Sequence, residues 1–376
     1  FQIGQDLTLQ AGTGSLGTGE SVDTMLTLNV GGRLLAASSG QDVALRWANG
    51  DFEIGQVFAV GDIHLDAIDG SLIGVLDQVS VSGRNIHLVA RDDIRGVDGA
   101  LQIELQSASA GELSGYAGGD VDLSSGKALS VGELIAEGDL SLSGAVDLQV
   151  RDVQSGANMQ LDAQGDITVA QAQAGGNLLI NTLADATLTG SAQADGNLTL
   201  LASSLNMADD SRFSAGGTLA LTTVGDMHLG LLENTGTAAT QFLIRAGGFV
   251  LGNGDGQVNL SGSHAGIAEI EAGLGIGSET TALLVDLPQL TSVEALSGDI
   301  YLQHRNDLSI GSLLAQDGHV VLGNNGGLLS AGTLDAYQSF DFTGGSLTAT
   351  EIWARNDDMF VDASGAVDIG SLDAAG

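Results

Sequence analysis

The sequence predicts an all-β fold, a right-handed parallel β-helix (solenoid) with three short strands in each coil of about 20 residues. Three observations support this prediction: a short motif recurs at nearly constant spacing, proline is almost absent, and apolar residues alternate with polar ones. Of the 376 residues, 57 are glycine and one is proline. No helical stripe of apolar residues persists along the chain.

The recurrent motif is glycine, then Asp or Asn, then an apolar, a variable and an apolar residue. It occurs at Gly61–Leu65, Gly138–Leu142, Gly165–Val169, Gly176–Ile180, Gly196–Leu200 and Gly298–Leu302. Its second apolar position falls on residues spaced by 19 to 21, namely Leu123, Leu142, Leu161, Ile180, Leu200 and Leu221. A sustained period near 20 residues indicates a solenoid rather than a globular domain.

Each period contains three segments in which apolar and polar residues alternate. In residues 298–317 they are Ile300–Leu302, Asn306–Ile310 and Leu313–Ala315. Such short alternation between Gly and Asn/Asp turns predicts strands with one buried face. A coil of this size cannot bury its own inward residues, so coils must stack and pair with their neighbours. Proline would remove a donor from that pairing, which explains why Pro288 stands alone.

Glycine at the corners is expected to supply positive φ, and Asp or Asn there to tolerate the left-handed region and bond the backbone. We expect residues 1–376 to form a single β-helix of about 19 coils. The period fails at 12–23, 231–241 and 261–281, which predicts irregular coils or protruding loops there. A stack of sandwich domains would repeat at about 100 residues and need large core aromatics, so the 20-residue period argues against it.

Composition excludes several functional classes. Acidic residues outnumber basic ones 47 to 11, and the net charge of -36 makes nucleic acid or an anionic membrane surface a poor partner. The absence of cysteine excludes disulfides, thiolate metal sites and a cysteine nucleophile. No run of about 18 apolar residues is present to insert into a bilayer. High acidity without cysteine favours a secreted bacterial surface protein.

The cycling of Gly-[Asp/Asn]-Leu-x-Leu and Leu-x-Ala every 19 to 21 residues resembles the shaft repeats of filamentous haemagglutinin-type exoproteins. These are the large secreted partners of bacterial two-partner secretion systems, and they include contact-dependent growth-inhibition effectors. The resemblance spans essentially the whole chain. It implies a non-catalytic adhesin shaft at the cell surface, a glycan or receptor protein on host or bacterial cells as partner, attachment to biofilm matrix, and an outer-membrane transporter for export.

The family's secretion domain carries Asn-Pro motifs, and none is present here because Pro288 follows Leu287. The repeat also continues to Gly376. We therefore expect the secretion domain and any toxin domain to be absent from this chain.

Three patterns resemble metal sites, and for each we expect a structural role, with no metal or cofactor bound. Gly252–Leu260 resembles a calcium-binding nonapeptide, but it occurs once and not in tandem. The recurrent corner residues are expected to bond neighbouring amides instead of a metal; they are Asp62, Asp139, Asp166, Asn177, Asn197 and Asp299.

The third pattern is a pair of histidines, His64 and His87, each between two apolar residues. The alternation turns both imidazoles toward solvent from neighbouring coils. Gln102 and Asp122 are expected to continue the same column, which leaves no third metal ligand.

The alternative function is a β-helical polysaccharide lyase or hydrolase acting on cell-surface glycans. Such an enzyme needs converging acids with a basic residue or metal. Paired acids occur at Asp92-Asp93, Asp209-Asp210 and Asp357-Asp358, and the single basic cluster is Arg84, Arg91 and Arg95. Paired acids are expected by composition in so acidic a chain, and no Gly-x-Ser-x-Gly elbow is present. We therefore expect no catalytic residues.

The candidate binding residues are Tyr301, Tyr337, Trp353 and Arg355. The alternation turns Tyr301 outward and places Asp335 above Trp353 and Tyr337 above Arg355. Flat rings beside an arginine and acids suit the apolar faces and hydroxyls of a sugar, or a protein partner. The alternative is structural: Trp353 folds over a corner and Arg355 stacks on Tyr337 as a cation–π pair.

Overall fold

The computed structural model describes residues 2–3, 5–18, 24–75, 78–107, 111–236, 241–254, 256–264 and 266–374. These residues form a parallel β-solenoid with coils of about 20 residues and no α-helix, which confirms the predicted fold class. The chain divides into two compact units, Phe1–Leu183 and Ala184–Gly376. The units are described separately, and a single continuous solenoid over 1–376 stays a prediction.

The described residues of the first unit form twenty strands, all of them short. They are β1 (Gln2–Ile3), β2 (Leu7–Ala11), β3 (Leu26–Val30), β4 (Leu34–Ser39), β5 (Val43–Trp47), β6 (Phe52–Ala59), β7 (Ile63–Ala67), β8 (Leu72–Gly74), β9 (Val81–Gly83), β10 (Ile86–Ala90), β11 (Ile94–Gly96), β12 (Leu101–Leu105), β13 (Leu113–Ala117), β14 (Val121–Ser125), β15 (Leu129–Ala136), β16 (Leu140–Gly144), β17 (Leu148–Ser155), β18 (Met159–Ala163), β19 (Ile167–Ala174) and β20 (Leu178–Thr182).

The second unit contains the remaining strands. They are β21 (Asp185–Ala194), β22 (Leu198–Ala202), β23 (Ser204–Met207), β24 (Arg212–Ala215), β25 (Thr218–Thr223), β26 (Met227–Leu229), β27 (Leu231–Asn234), β28 (Gln241–Ala246), β29 (Phe249–Gly252), β30 (Leu260–Gly262), β31 (Ile267–Ala272), β32 (Gly275–Ile276), β33 (Leu283–Asp286), β34 (Gln289–Ala295), β35 (Ile300–His304), β36 (Leu308–Ala315), β37 (Val320–Asn324), β38 (Leu328–Ala336), β39 (Phe340–Gly344), β40 (Ser346–Ala354), β41 (Met359–Ala363) and β42 (Val367–Ala374).

Within each unit, strands pair in parallel with the strands one turn before and after. In the regular part of the first unit, the five-residue strands β14, β16 and β18 stack in one sheet. The eight-residue strands β15, β17 and β19 stack in a second sheet. Each regular turn therefore contributes one short and one long strand.

The long strand replaces two of the three strands expected per coil. Strand β36 covers both the second and the third predicted segment, and the adjacent outward residues Gly311 and Ser312 mark the place where its alternation slips. Elsewhere in the second unit the two segments are separate, since β23 and β24 both pair with the single strand β21. In β36 the backbone therefore stays extended where a corner was predicted. Only the alternation changes, because two consecutive residues face outward there.

Turn length varies more than the motif predicts. Met159 lies 19 residues after its partner Leu140, but Ser114 lies 27 after His87. The described residues make about 17 turns, fewer than a uniform 20-residue coil gives, because such longer turns are present.

The irregular segments are only partly loops. In 12–23, residues 19–23 lie outside the described part, and Leu16 makes an isolated parallel bridge to Val43. Strands β27, β31 and β32 lie within the segments 231–241 and 261–281.

The core of each unit consists of columns of inward apolar side chains. In the first unit, Leu123, Leu142, Leu161 and Ile180 stack at one register position and are at most 1% exposed. Burial of each such side chain contributes about 1.5–3 kcal/mol. The apolar positions of the motif are therefore the core, as the periodicity predicts.

The polar position of the motif ties each corner to the next turn. The backbone N–H of Asp139 donates to Oδ1 of Asp120 at 2.8 Å, and that of Asn158 donates to Oδ1 of Asp139 at 2.8 Å. In the second unit, His319 N–H donates to Oδ1 of Asp299 at 2.8 Å. The side chain therefore bonds an amide one turn away, which confirms the role expected for this column.

In the motif copies that begin at Gly61, Gly138 and Gly165, the glycine is required for space and not for a positive φ. The positive-φ glycines among the described residues are Gly17, Gly50, Gly99, Gly254, Gly256, Gly277 and Gly326, and one of them, Gly50, belongs to a copy of the motif, Gly50–Ile54. No described residue other than glycine has positive φ, so the left-handed conformation expected for Asp and Asn at the corners is not adopted. A Cβ on Gly61, Gly138 or Gly165 would overlap the Oδ1 of the corner Asp one turn earlier.

Replacing Gly138 by alanine therefore has a defined cost. The new Cβ displaces the Asp120 carboxylate, which loses its bond to the Asp139 amide. We expect Gly138→Ala to lower the free energy of unfolding by about 1–3 kcal/mol. Urea unfolding followed by far-UV circular dichroism measures this.

Gly126→Ala is the matched control, because a Cβ on Gly126 has no atom within 4 Å and its φ is not positive. This variant should keep or slightly raise the urea midpoint. Equal midpoints for the two variants would contradict the spatial explanation of the motif.

Candidate functional sites

The corner carboxylates of the motif are engaged with the protein itself. Asp62 is an example: its Oδ1 accepts from Nε of Arg84 at 2.9 Å and from Nδ2 of Asn85 at 2.9 Å. The bond from Arg84 is the main cause that lowers the pKa of the Asp62 carboxyl. Within the described ranges, no group of three or more His, Cys, Asp or Glu side chains is placed to hold a metal ion.

The segment that resembles a calcium nonapeptide contains a buried structural residue. Asp255 lies outside the described residues. Asn259 is fully buried: its Nδ2 donates to the carbonyl of Leu229 at 3.0 Å, and its Oδ1 accepts from the amide of Leu284 at 3.1 Å. Asn259 thus joins three turns of the second unit, a role that the sequence analysis did not identify.

Trp353 is the centre of the candidate binding surface on the second unit. In the ladder between β38 and β40, Asp335 lies directly opposite Trp353, as the alternation predicts. The guanidinium of Arg355 lies over the Trp353 ring, 5.4 Å from its centroid, and its Nε donates to Oδ1 of Asp335 at 2.8 Å. A second bond joins Nη2 to Oδ2 of Asp335. Asp335, Trp353 and Arg355 form what we call the tryptophan cluster.

The cluster differs from the expected structural alternative, in which Arg355 stacks on Tyr337. The fork of Arg355 reaches back to Asp335, and this holds the guanidinium plane against the indole. Tyr337 is more exposed than Trp353, and its carbonyl accepts from Nδ2 of Asn356 at 3.1 Å. Two aromatic rings are therefore exposed near the same corner of β38 and β40.

Tyr301 is turned outward but belongs to a different sheet. It lies on β35, which pairs with β33 and β37, whereas Trp353 lies on β40. Its ring is half-buried, and its hydroxyl is 3.4 Å from Oδ2 of Asp299. Burial and the charge of Asp299 raise the pKa of this phenol. Tyr301 and the tryptophan cluster therefore lie on different sheets of the second unit.

His64 and His87 lie side by side on the first unit. Strands β7 and β10 pair in register, so His64 is directly opposite His87, and the ring centroids are 4.6 Å apart at an interplanar angle of 80°. The next member of the column is Ser114, whose Oγ is 2.9 Å from Nδ1 of His87. The expected column through Gln102 and Asp122 is wrong, because the 27-residue turn places Gln102 and Asp122 on strands of the other sheet.

The two imidazoles are half-buried rather than turned into open solvent. They line a groove of about 600 Å³ that Thr18, Asp42, Asp62 and Asn85 also border. Burial, followed by the charge of the neighbouring His87, lowers the pKa of His64 to about 4. Burial also lowers the pKa of His87. Both rings are consequently neutral at pH 7.

The basic residues are used in ion pairs. Arg84 pairs with Asp62, Arg91 with Asp69 and Arg95 with Asp93, so the predicted basic cluster consists of three separate pairs. Ten of the eleven basic residues form such pairs.

The exception, within the described residues, is Arg305. Its Nη2 donates to the carbonyl of Gly256 at 2.8 Å beside a groove of about 520 Å³ that Asp286, Pro288 and Asp307 border. The two carboxylates beside it make this groove acidic.

Comparison with known proteins adds no relative: no family model, curated protein or solved structure matches the chain. Among the described residues, no helix is long and apolar enough to cross a membrane.

The exposure of Trp353 is testable because the chain has only two tryptophans. Trp47 is 2% exposed and stacks on Phe52 in the core, whereas Trp353 is 36% exposed. Trp353→Phe should therefore remove most of the acrylamide-quenchable fluorescence and shift the emission to shorter wavelength. Trp47→Phe is the converse control and should leave a readily quenched, red-shifted signal. Similar quenching in both variants would contradict this placement.

Proposed function

We propose that the chain is a non-catalytic repeat segment of a large secreted bacterial surface adhesin. In this role it mediates or projects attachment to host cells, other bacteria or biofilm matrix, and an outer-membrane transporter exports it. The proposal places the attachment surface at the tryptophan cluster and Tyr337, with Tyr301 as a separate outward aromatic residue.

The observation that supports a structural role is that outward charged side chains join successive turns. Arg84 bonds Asp62 one turn earlier, and Arg151 reaches Glu112 at 2.8 Å across two turns. Apart from Arg95, every ion-paired basic residue has an acidic partner on another turn. Each exposed pair contributes only about 0–1 kcal/mol. Repeated along the chain, such pairs stabilise a long repetitive segment.

The observation that supports attachment is the tryptophan cluster itself. An indole and a phenol exposed near one corner offer apolar faces to sugar C–H groups, and Asp335 and Arg355 offer polar groups at their edge. Aromatic and arginine side chains also dominate the binding energy of protein interfaces. Because Arg355 is already neutralised by Asp335, a neutral glycan face suits this surface better than an acidic one.

The test is the double variant Tyr337→Ala with Trp353→Ala. We expect at least a tenfold loss of binding to immobilised glycans or whole cells. The control is Phe360→Ala, which removes an exposed aromatic side chain from β41 and should leave binding unchanged. Unchanged binding in the double variant with a lower melting temperature would show that the cluster is structural.

The lyase or hydrolase alternative makes a different prediction. A screen for cleavage of uronate-rich and neutral polysaccharides should show no turnover if the chain is an adhesin segment. Saturable cleavage that an acidic-residue variant abolishes would replace the adhesin proposal with the enzyme.

A further inference from the structure

We propose that His64 and His87 form a two-histidine chelate for a divalent transition-metal ion, with copper(II) as the preferred ion. The two residues lie opposite each other on β7 and β10, on the outward face of the first unit. The inference is independent of the adhesin proposal, because it concerns a different unit and a different chemistry.

The separation of the rings matches a chelate. A metal–nitrogen bond of about 2.0 Å, with about 1.1 Å from nitrogen to ring centre, places two cis imidazole centroids about 4.4 Å apart. The observed centroid separation is 4.6 Å. The χ2 torsion of histidine is broad, so the rings can turn their nitrogens toward one ion at little cost. The parallel pairing of β7 and β10 therefore preorganises the pair.

The surroundings prepare the rings for ligation. Nδ1 of His87 lies 2.9 Å from Ser114 Oγ, and with Nδ1–H donating to that oxygen, Nε2 carries the lone pair. Such a second hydrogen bond orients most metal-bound histidines. Neutral imidazole is the form that binds metals, so the chelate should weaken as the pH falls and protons compete for the rings.

The charged groups around the pair favour a cation. Asp42 and Asp62 border the groove from the corner of each turn, and Asp66 lies two residues beyond His64. Arg46 and Arg84 face the same region, but each is paired with a carboxylate, Arg46 with Asp66 and Arg84 with Asp62. The surplus of carboxylates raises the local concentration of divalent cations.

Copper(II) is favoured over zinc by the number of ligands. Structural zinc sites take four protein ligands, and this groove offers two imidazoles. Copper(II) accepts a tetragonal site in which water completes the coordination, and it binds nitrogen ligands most strongly among the divalent first-row metals. The same pair should hold nickel(II) and zinc(II) more weakly.

The experiment uses the full chain, freed of metal by chelator and titrated with copper(II) in competition with glycine. We expect one tight site. His64→Gln and His87→Gln should each weaken it at least about tenfold, and the double variant should lose it. His228→Gln is the matched control, because His228 is an outward histidine on β26 opposite Asn206 and Leu251 and should leave the affinity unchanged.

Pulsed electron paramagnetic resonance of the copper-loaded protein gives an independent readout. Two equivalent equatorial imidazoles are expected in the wild type and one in each single variant. Circular dichroism melting of the metal-free variants tests whether they are folded. Equal affinity in wild type and folded double variant would overturn the proposal and leave only carboxylate binding. A single imidazole in the wild type would overturn it as well, even if each variant proved unstable.

Discussion

The structure depends on the pairing of each turn with the next, because a turn of about 20 residues has too few inward side chains to fold alone. The strands supply most of this pairing through parallel backbone ladders. At the corners, where the ladder would lapse, the carboxylate or amide of one turn accepts the backbone N–H of the next, as Asp120 does for Asp139. The residue before the donating amide is glycine, as Gly138 is before Asp139. The Asp120 side chain of the preceding turn occupies the space that a Cβ at this position would need. The Asp of one motif copy and the Gly of the next copy thus form a single contact between two successive turns.

Contacts of this kind also affect the ionisation of two corner acids, Asp6 and Asp62. A corner carboxylate accepts amide donors, and hydrogen bonds to the charged form of a carboxyl lower its pKa. The amide of Arg33 is the main cause that lowers the pKa of Asp6, and the side chain of Arg84 does the same for Asp62. A lowered pKa means that the contribution to stability is present above the unfolded pKa near 4 and is lost as the pH falls through the folded value. Part of the acidic composition is therefore structural.

The features that follow directly from the 20-residue period could be predicted from the sequence. The inward columns, such as Leu142 and Leu161, and the placement of Asp335 opposite Trp353 followed from alternation and turn length. The sequence did not predict which outward residues become neighbours where the length of a turn departs from about 20 residues. One 27-residue turn after His87 replaced Gln102 by Ser114 as its neighbour.

Features set by side-chain reach were also missed. No spacing shows that Arg355 turns back to Asp335 instead of Tyr337, because a long flexible side chain can reach several partners and the bidentate carboxylate is the strongest of them. The positive φ expected of the corner glycines is found at Gly50 but not at Gly61 or Gly138. Sequence shows that glycine is required, but not whether it is required for φ or for space.

The two candidate sites share one physical origin. Parallel stacking places outward residues of equal register about 4.8 Å apart, so any two outward side chains in one column are forced to be neighbours. Inward positions and corners cannot vary freely, since the first fill the core and the second join the turns. Outward positions join turns only through ion pairs worth about 0–1 kcal/mol each, so they vary more freely. Chemistry can therefore appear wherever two adjacent turns carry reactive or aromatic residues. His64 beside His87, and Asp335 beside Trp353, are two such coincidences of register. In a solenoid the fold thus fixes the distance between functional groups, and substitution at two outward positions is enough to create a site without disturbing the contacts that hold the turns together.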